Sequence, residues 1–599
     1  MMIGFFRRQE HNPVNLGDWM AFSKRDENQQ LWQVDGEHQA AVQYNRSLVF
    51  SAELGPYFIA MQGYCHPGQG QAATVEAMER FLSEILRNYR DTGTFQIPKV
   101  EGCYTIFFVD GQTGKVVLYR NLVGNALTYY TLTDEGFFWG TNFAQLVETS
   151  RQTKTIDESG LPILFLGRYP TGSRTLLKNI FRLQPGEMVV FDGKTVHVEQ
   201  ATTFRDFEES HKTNETESIE RVEAVTQEIM RDWYGIHPNT ANLLSGGIDS
   251  TYLQVHWNAA WRENNRESDG KPLSSVVWLN HPKTKADLQY TLSAVEATGT
   301  HNIAVEQPIL TPEFLAEIIG RNGEFPNHVQ SVYFDTLAKG MRDHGIKAGI
   351  VGEGADGLFG TGIQDTIRVA QRWKERLALP GLAAIASFAA RKLGGHFTAE
   401  AIERSRIIGN VHHLRHPVNT AAVFTDYQTL EKCFDATALQ AAVDYKLGLL
   451  EELDVPHDPL NLQLSLSAGY VWEAAVTASY WSQLFAENGL AMCSPFLDSR
   501  MIRAAMNIAP EAHFVPGHPK QMLKNALLRH VPSDVVNRPK LGFGQPIFEW
   551  LSPGGPLRER AEAIRTFDWF SETTKRDLLQ KTNWVLWTML CYDIWYDSV

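Results

Sequence analysis

The sequence has 599 residues, 43% of them apolar, which is too long for one hydrophobic core and implies two large domains or more. Its net charge of −14 sets it against phosphate backbones and anionic lipid, so nucleic acid and membrane surfaces are excluded as default partners. Five cysteines (Cys65, Cys103, Cys433, Cys493 and Cys591), odd in number and without C-x-x-C spacing, argue against a disulfide framework or zinc knuckle and fit a reducing cytoplasm.

The start, Met1 to Arg8, offers no apolar region of secretory length, and no export signal is expected. Runs rich in aromatic and β-branched residues, Cys103–Val109 and Lys115–Tyr119, flank the turn signal Asp110-Gly111, so the first ~200 residues read as mainly β. The polar stretch Arg205–Thr216 carries no apolar period. After it Ile219, Val222, Val225, Ile229 and Trp233 fall on one helical face. The boundary is placed there, giving domains 1–208 and 209–599. Beyond it strand and helix alternate: strands at Ala241–Leu244, Ser274–Leu279, Asn302–Val305 and Ile346–Val351, helices at Ser250–Trp257 and Ala286–Ala297. Such alternation predicts a parallel sheet with its ligand at the carboxyl ends of the strands. Residues from about 365 to 599 show helical periodicity and should pack around that sheet. The most apolar run, Leu377–Ala390, is short of the ~20 residues needed to cross a bilayer and reads as a buried or partner-binding helix.

Directly after the first of these strands comes Ser245-Gly246-Gly247-Ile248-Asp249-Ser250, leading into a helix. Two glycines let successive N–H groups approach an anion, and the helix start adds its dipole, so the loop can cradle a pyrophosphate. The Gly-Lys-Ser/Thr of the Walker loop is missing, which turns the reading away from γ-phosphate transfer. The loop resembles that of the ATP pyrophosphatases, which release pyrophosphate and leave AMP on the substrate. At the end of a later strand, Gly352-Glu353-Gly354-Ala355-Asp356-Gly357-Leu358-Phe359-Gly360 resembles the GEGxDExFGG segment of asparagine synthetases, with Gly357 and Thr361 departing from it. Segments Cys493–Asp498, Lys520–Lys524 and Arg538–Phe543 follow in the family's order.

The resemblance implies an α/β parallel-sheet ATP pyrophosphatase domain with large helical additions. It assigns the nucleotide and pyrophosphate to Leu243, Ser245, Gly246, Gly247, Asp249, Ser250, Val276 and Gly352, with ATP and Mg²⁺ required. Two carboxylates beside a triphosphate repel it by about 4 kcal/mol per charge pair at 4 Å and an effective dielectric near 20, so a divalent cation must intervene. Asp249 and Asp356 are its expected ligands. Glu353 is expected to orient or deprotonate an incoming amine, or else to anchor backbone N–H groups. It stands where the related β-lactam synthetases carry Tyr. Lys540 is expected to stabilise charge at the α-phosphate, its plainer role being a solvated lysine. Lys520 and Lys524 read as phosphate steering or fold contacts and are left outside the catalytic set, and His412 and His416 read as a surface cluster.

Lys99–Asn121, Gly124, Tyr129-Tyr130, Phe137–Asn142 and Asp157–Gly186 resemble a class II glutamine amidotransferase domain, an Ntn-type α+β fold with a β-rich sandwich. That chemistry needs an N-terminal cysteine, whereas residue 2 is Met, and the family's Arg-Asp pair is Arg120-Asn121. The expectation is a domain that does not hydrolyse glutamine. The leading reading is an AMP-forming amide ligase that takes a carboxylate-bearing substrate, a peptide closed into a macrolactam as in lasso peptide cyclases. Its partners would be a precursor-processing protease or a leader-peptide-binding protein. Two alternatives remain: an intermolecular synthetase using free ammonia or an amine, and a catalytically silent ATP- or partner-binding scaffold.

Overall fold

The structure is a computed structural model that describes the chain except for residues 9–27, 36–37, 67, 69–72, 269, 280–281, 325–329, 361–381, 394–426, 454–461, 514, 516, 539–545 and 599. The first domain contains strands β1 (Met2–Arg8), β2 (Gln29–Asp35), β3 (His38–Asn45), β4 (Val49–Leu54), β5 (Tyr57–Cys65), β6 (Gly102–Asp110), β7 (Lys115–Arg120), β8 (Tyr129–Thr133), β9 (Gly136–Gly140), β10 (Phe181–Arg182), β11 (Glu187–Phe191) and β12 (Val196–Gln200). They form two antiparallel sheets in the orders β10-β8-β9-β1-β3-β2 and β12-β11-β7-β6-β5-β4. The sheets pack face to face over a core in which Phe137 stacks on Phe191 at 4.9 Å and Trp32 on Phe58 at 5.3 Å.

Every residue of β6 is buried. Phe107 and Val109 enter the core between the sheets, whereas Ile106 and Phe108 join the larger core on the other face, where Phe108 meets Tyr89 at 4.5 Å. Tyr89 belongs to the helix Val75–Thr92, held at its start by Thr74 Oγ1 accepting from Ala77 N–H. A strand covered on both faces has no reason to alternate polar and apolar residues, which accounts for the unbroken run read from the sequence. The result is the β-rich sandwich expected of an Ntn-type domain.

The second domain is built on strands β13 (Thr240–Leu243), β14 (Leu273–Leu279), β15 (His301–Gln307), β16 (Ala348–Ile350) and β17 (Ala491–Cys493), all parallel, in the order β15-β14-β13-β16-β17. The chain runs outward from β13 to β15 and then returns to lay β16 on the other side of β13. The crevice outside the carboxyl ends of β13 and β16 is therefore the topological switch point, where doubly wound sheets bind ligands. Four predicted strands are present within a few residues of their expected limits, and β17 is an addition. The helix read as Ser250–Trp257 runs from Ile248 to Asn264, so Asp249 lies in its first turn.

Arg120 is fully buried and ties the two domains together. Its guanidinium donates to Gly124 O, to Ala475 O at 3.2 Å and to Ser479 Oγ at 2.8 Å, the last two on the helix Leu462–Glu487. Burial pushes this group down to about 10. Tyr64 Oη donates to Asp498 Oδ2 at 2.8 Å, and Arg182 pairs with Glu324 at 2.7 Å. In the apolar run near residue 380, the described part is a helix, Leu382–Lys392, with Ile385 and Phe388 exposed rather than buried. No helix among the described residues is long and apolar enough to cross a membrane.

Candidate active site

The switch-point crevice opens into a cavity of about 400 Å³. Of the residues expected to hold nucleotide, Leu243, Ser245, Gly247, Asp249, Ser250, Val276 and Gly352 line it, as do Glu353 and Asp356. Gly246 lies behind the wall. At φ +70°, with any Cβ 2.5 Å from Tyr290 O, the backbone there admits only glycine. The turn is drawn in further by Ser245 N–H donating to Ser250 Oγ at 3.2 Å. Gly352 brings the second motif against the first: a Cβ there would lie 3.3 Å from Asp249 Cβ. Gly354, at φ +98°, starts the short helix Ala355–Phe359 that presents Asp356.

The residue that joins the two motifs is Lys520, which sequence reasoning had set aside. Its ammonium lies 2.5 Å from Asp249 Oδ2 and 2.5 Å from Asp356 Oδ1, and the residue is 6% exposed. Lys520 does not share a helical face with Lys524. It sits in the left-handed region at φ +58°, capping the helix Gln521–Leu527, and its N–H donates to Phe359 O. This geometry gives specific partners to a lysine that the sequence reads as phosphate steering or a fold contact. Burial alone would lower its proton affinity, but Asp249 and Asp356 outweigh that and hold it firmly cationic. Lys524 and Arg538 also line the cavity, with the Arg538 guanidinium over the Tyr290 ring at 4.7 Å. Lys540, expected to be catalytic, falls outside the described residues, as do His412 and His416.

Glu353 lines the same cavity and is partly buried. Burial, together with the charge of Asp356 and Asp249 and against that of Lys520, pushes its carboxyl up to about 8. Near pH 7 most of this carboxyl already carries its proton, so it can act as a general base only through its ionised fraction, which grows as the pH rises through about 8. The far wall is apolar, with Phe334 stacked on Trp481 at 3.7 Å beside Tyr333 and Leu337. Asp249 Oδ1 is buried with no hydrogen-bond partner among the described residues, while the Asp356 carboxylate is half exposed to the cavity. Two hard oxygen donors converging on one cation, one with an unused buried oxygen, fit Mg²⁺.

Asp498, from the Pro-Phe-Leu-Asp segment, takes no part in the cavity. It accepts from Tyr64 and pairs with Arg500 at 2.9 Å, so this segment works at the domain interface. All five cysteines are buried. Burial pushes the Cys65 thiol up to about 12 and that of Cys103 higher still, so neither is a nucleophile.

The asparagine synthase family model matches residues 238–590, and the glutamine amidotransferase domain model matches residues 82–202. The chain is 23% identical to asparagine synthetase [glutamine-hydrolyzing] 1 of Bacillus subtilis (strain 168), over 92% of this chain and 85% of that one. It is likewise 23% identical to a putative asparagine synthetase [glutamine-hydrolyzing] of Mycobacterium tuberculosis (strain ATCC 25618 / H37Rv), over 92% and 84%. Among solved structures, a glutamine phosphoribosylpyrophosphate amidotransferase from B. subtilis complexed with ADP and GMP aligns with 59% of this chain and 82% of its own, at 9% identity and a TM-score of 0.20, too low to carry any argument. With more than half its length matched by the synthase model and both ATP-pyrophosphatase motifs meeting at one cleft, the chain belongs to the asparagine synthase family of ATP-dependent carbon–nitrogen ligases that release AMP and pyrophosphate.

Proposed function

We propose that this protein adenylates a substrate carboxylate and joins it to an amine of the same molecule, closing a macrolactam in a precursor peptide. The observation that supports the reading is the pairing of a cleft lined by seven of the eight expected nucleotide residues with a first domain whose cysteines are all buried. Without an accessible thiol that domain has no means of releasing ammonia from glutamine, so the amine arrives with the substrate.

In the first step a carboxylate oxygen attacks the α-phosphorus, the bond to the β-phosphate oxygen breaks, and pyrophosphate leaves into the loop at Ser245–Ser250. Mg²⁺, held by Asp249 and Asp356, would offset charge on the departing pyrophosphate. Lys520 fixes the two acids and adds a positive charge at the same place. In the second step the amine attacks the acyl carbon, AMP leaves, and Glu353 takes the amine proton. The apolar wall of Tyr333, Phe334 and Trp481 keeps water from the acyl-adenylate.

Incubation with ATP, Mg²⁺ and a candidate precursor peptide is expected to give AMP, pyrophosphate and a product lighter by one water, whereas ADP would refute the mechanism. A peptide route would also employ a processing protease or a leader-binding protein. The likeness to glutamine-hydrolysing asparagine synthetases over 92% of the chain favours a second reading, an intermolecular amidation using free ammonia or an amine. A product heavier than the acid substrate would select it. Failure of carboxylate-dependent ATP–pyrophosphate exchange across a broad panel of acids would instead point to a silent scaffold.

A further inference from the structure

Away from the nucleotide cleft, three potential metal ligands converge from three segments. Glu223 belongs to the helix Glu215–Ile236, His256 to the helix Ile248–Asn264, and His530 to the turn after the helix Gln521–Leu527. One ligand atom from each lies within 4.8 Å of the others. His530 Nε2 stands 3.2 Å from Glu223 Oε1. Two ligands on a tetrahedral zinc at about 2.0–2.1 Å are themselves about 3.3 Å apart, so this pair already spans one edge of such a site. His256 is 2% exposed, and its Nε2 is buried with no hydrogen-bond partner among the described residues. An unpaired polar atom in that setting is costly to keep, and a metal ion would satisfy it.

The neighbours suit ligation. Tyr252 packs edge-on against the His256 ring at 4.5 Å and fixes its plane. Arg529 takes Glu223 Oε2 at 2.8 Å, leaving Oε1 as the single ligating oxygen. The His256 and His530 rings are 5.8 Å apart and steeply inclined, so a small rotation of the exposed His530 closes the third edge. We propose that Glu223, His256 and His530 form a binding site for a zinc-like transition-metal ion, distinct from the Mg²⁺ ligands of the cleft. Two imidazoles and one carboxylate select such a cation over Mg²⁺, which prefers oxygen alone. The fourth position opens to solvent beside His530.

The placement gives the ion a mechanical role. His256 lies two turns beyond Asp249 on the same helix, and His530 follows the helix that Lys520 caps. A metal here ties the middle of the helix that carries Asp249 to the turn after the helix that Lys520 caps, two segments whose starts form the acid–lysine contact of the cleft.

The test uses the full-length protein, stripped with chelator and titrated with Co²⁺ and then Zn²⁺. The expected result is one tight Co²⁺ per chain with the intense visible absorption of low-coordinate cobalt, displaced by Zn²⁺, and a melting temperature raised by Zn²⁺. His530→Ala, a surface change, and Glu223→Gln should each weaken binding tenfold or more, whereas Asp249→Asn should leave it unchanged. Absence of a one-to-one site, or equal affinity in the wild type, His530→Ala and Glu223→Gln, would overturn the proposal.

Discussion

Replacing Glu353 by glutamine should make the protein more stable in alkaline buffer while abolishing amide formation. Burial and two neighbouring acids lift this carboxyl from the ordinary 4.5 to about 8, so the folded state holds a proton that the unfolded chain would already have released. A group of this kind favours folding fully below the unfolded value and progressively loses that contribution as the pH rises through the folded one. At about 1.36 kcal/mol per unit, the deficit approaches about 3 kcal/mol at pH 7 and about 5 kcal/mol at pH 9. Glutamine keeps the shape and never ionises, so it escapes the deficit. For a cooperative unit of about 350 residues, with an unfolding entropy of about 2.1 cal/mol/K per residue, 5 kcal/mol corresponds to roughly 7 °C. The assay is thermal unfolding of both proteins from pH 4 to pH 9 without nucleotide. The melting curves should coincide below pH 4.5 and diverge upward in favour of Glu353→Gln, reaching their full separation beyond pH 8. In parallel, the variant should keep ATP–pyrophosphate exchange but lose 10²–10⁴-fold in amide formation, the usual worth of a general base. Parallel pH profiles for the two proteins would refute the assignment of a buried, proton-holding carboxyl.

Asp249→Asn and Asp356→Asn should each lower ATP–pyrophosphate exchange by 10²-fold or more and weaken its dependence on Mg²⁺, read by titrating the metal at saturating ATP. Lys520→Met leaves Asp249 and Asp356 facing each other without their shared cation, so exchange should fall by a similar factor, with partial recovery at raised Mg²⁺. Gly246→Ala forces a side chain at φ +70° against Tyr290 O; at an expense of about 1–3 kcal/mol for the backbone alone, it should raise KM for ATP and lower Tm. Arg120→Ala removes the guanidinium donor from the buried carbonyls of Gly124 and Leu183 and from the Ser479 hydroxyl, Ala475 O keeping the Ser479 hydroxyl as a donor, and should cost about 3 kcal/mol or more in thermal stability. Lysine at that position should not restore it, since one ammonium cannot span both domains as the planar fork does.

The parts of the site legible in the sequence were those in which local chemistry and position coincide. Ser245–Ser250 and Gly352–Asp356 each follow a buried strand, and two such motifs in one α/β chain can meet only where the strand order reverses. The Lys520–Lys524 segment was legible as a family element, but the contact of Lys520 with Asp249 and Asp356 was not. Its place depends on a left-handed residue and on a backbone bond to Phe359, some 160 positions earlier. Strand β17, three residues long, is too short to show any periodicity and exists because β16 offers it an edge. The helix after β13 begins at Ile248, two residues before the expected start, because Gly247 itself serves as its cap. Asp498 carried a family motif, yet its partners, Tyr64 and Arg500, were visible only once both domains were in place.

Strand β17 has one further implication. It lies against β5 of the first domain, and Asn125, in the segment between β7 and β8, donates from Nδ2 to Met492 O at 2.9 Å. An uncovered sheet margin invites pairing with other chains, so the first domain acts as a permanent splint for the second. A truncated version beginning after residue 208 would expose that seam and tend to self-associate. The first domain thus has a structural duty toward its neighbour that stands apart from any chemistry of its own.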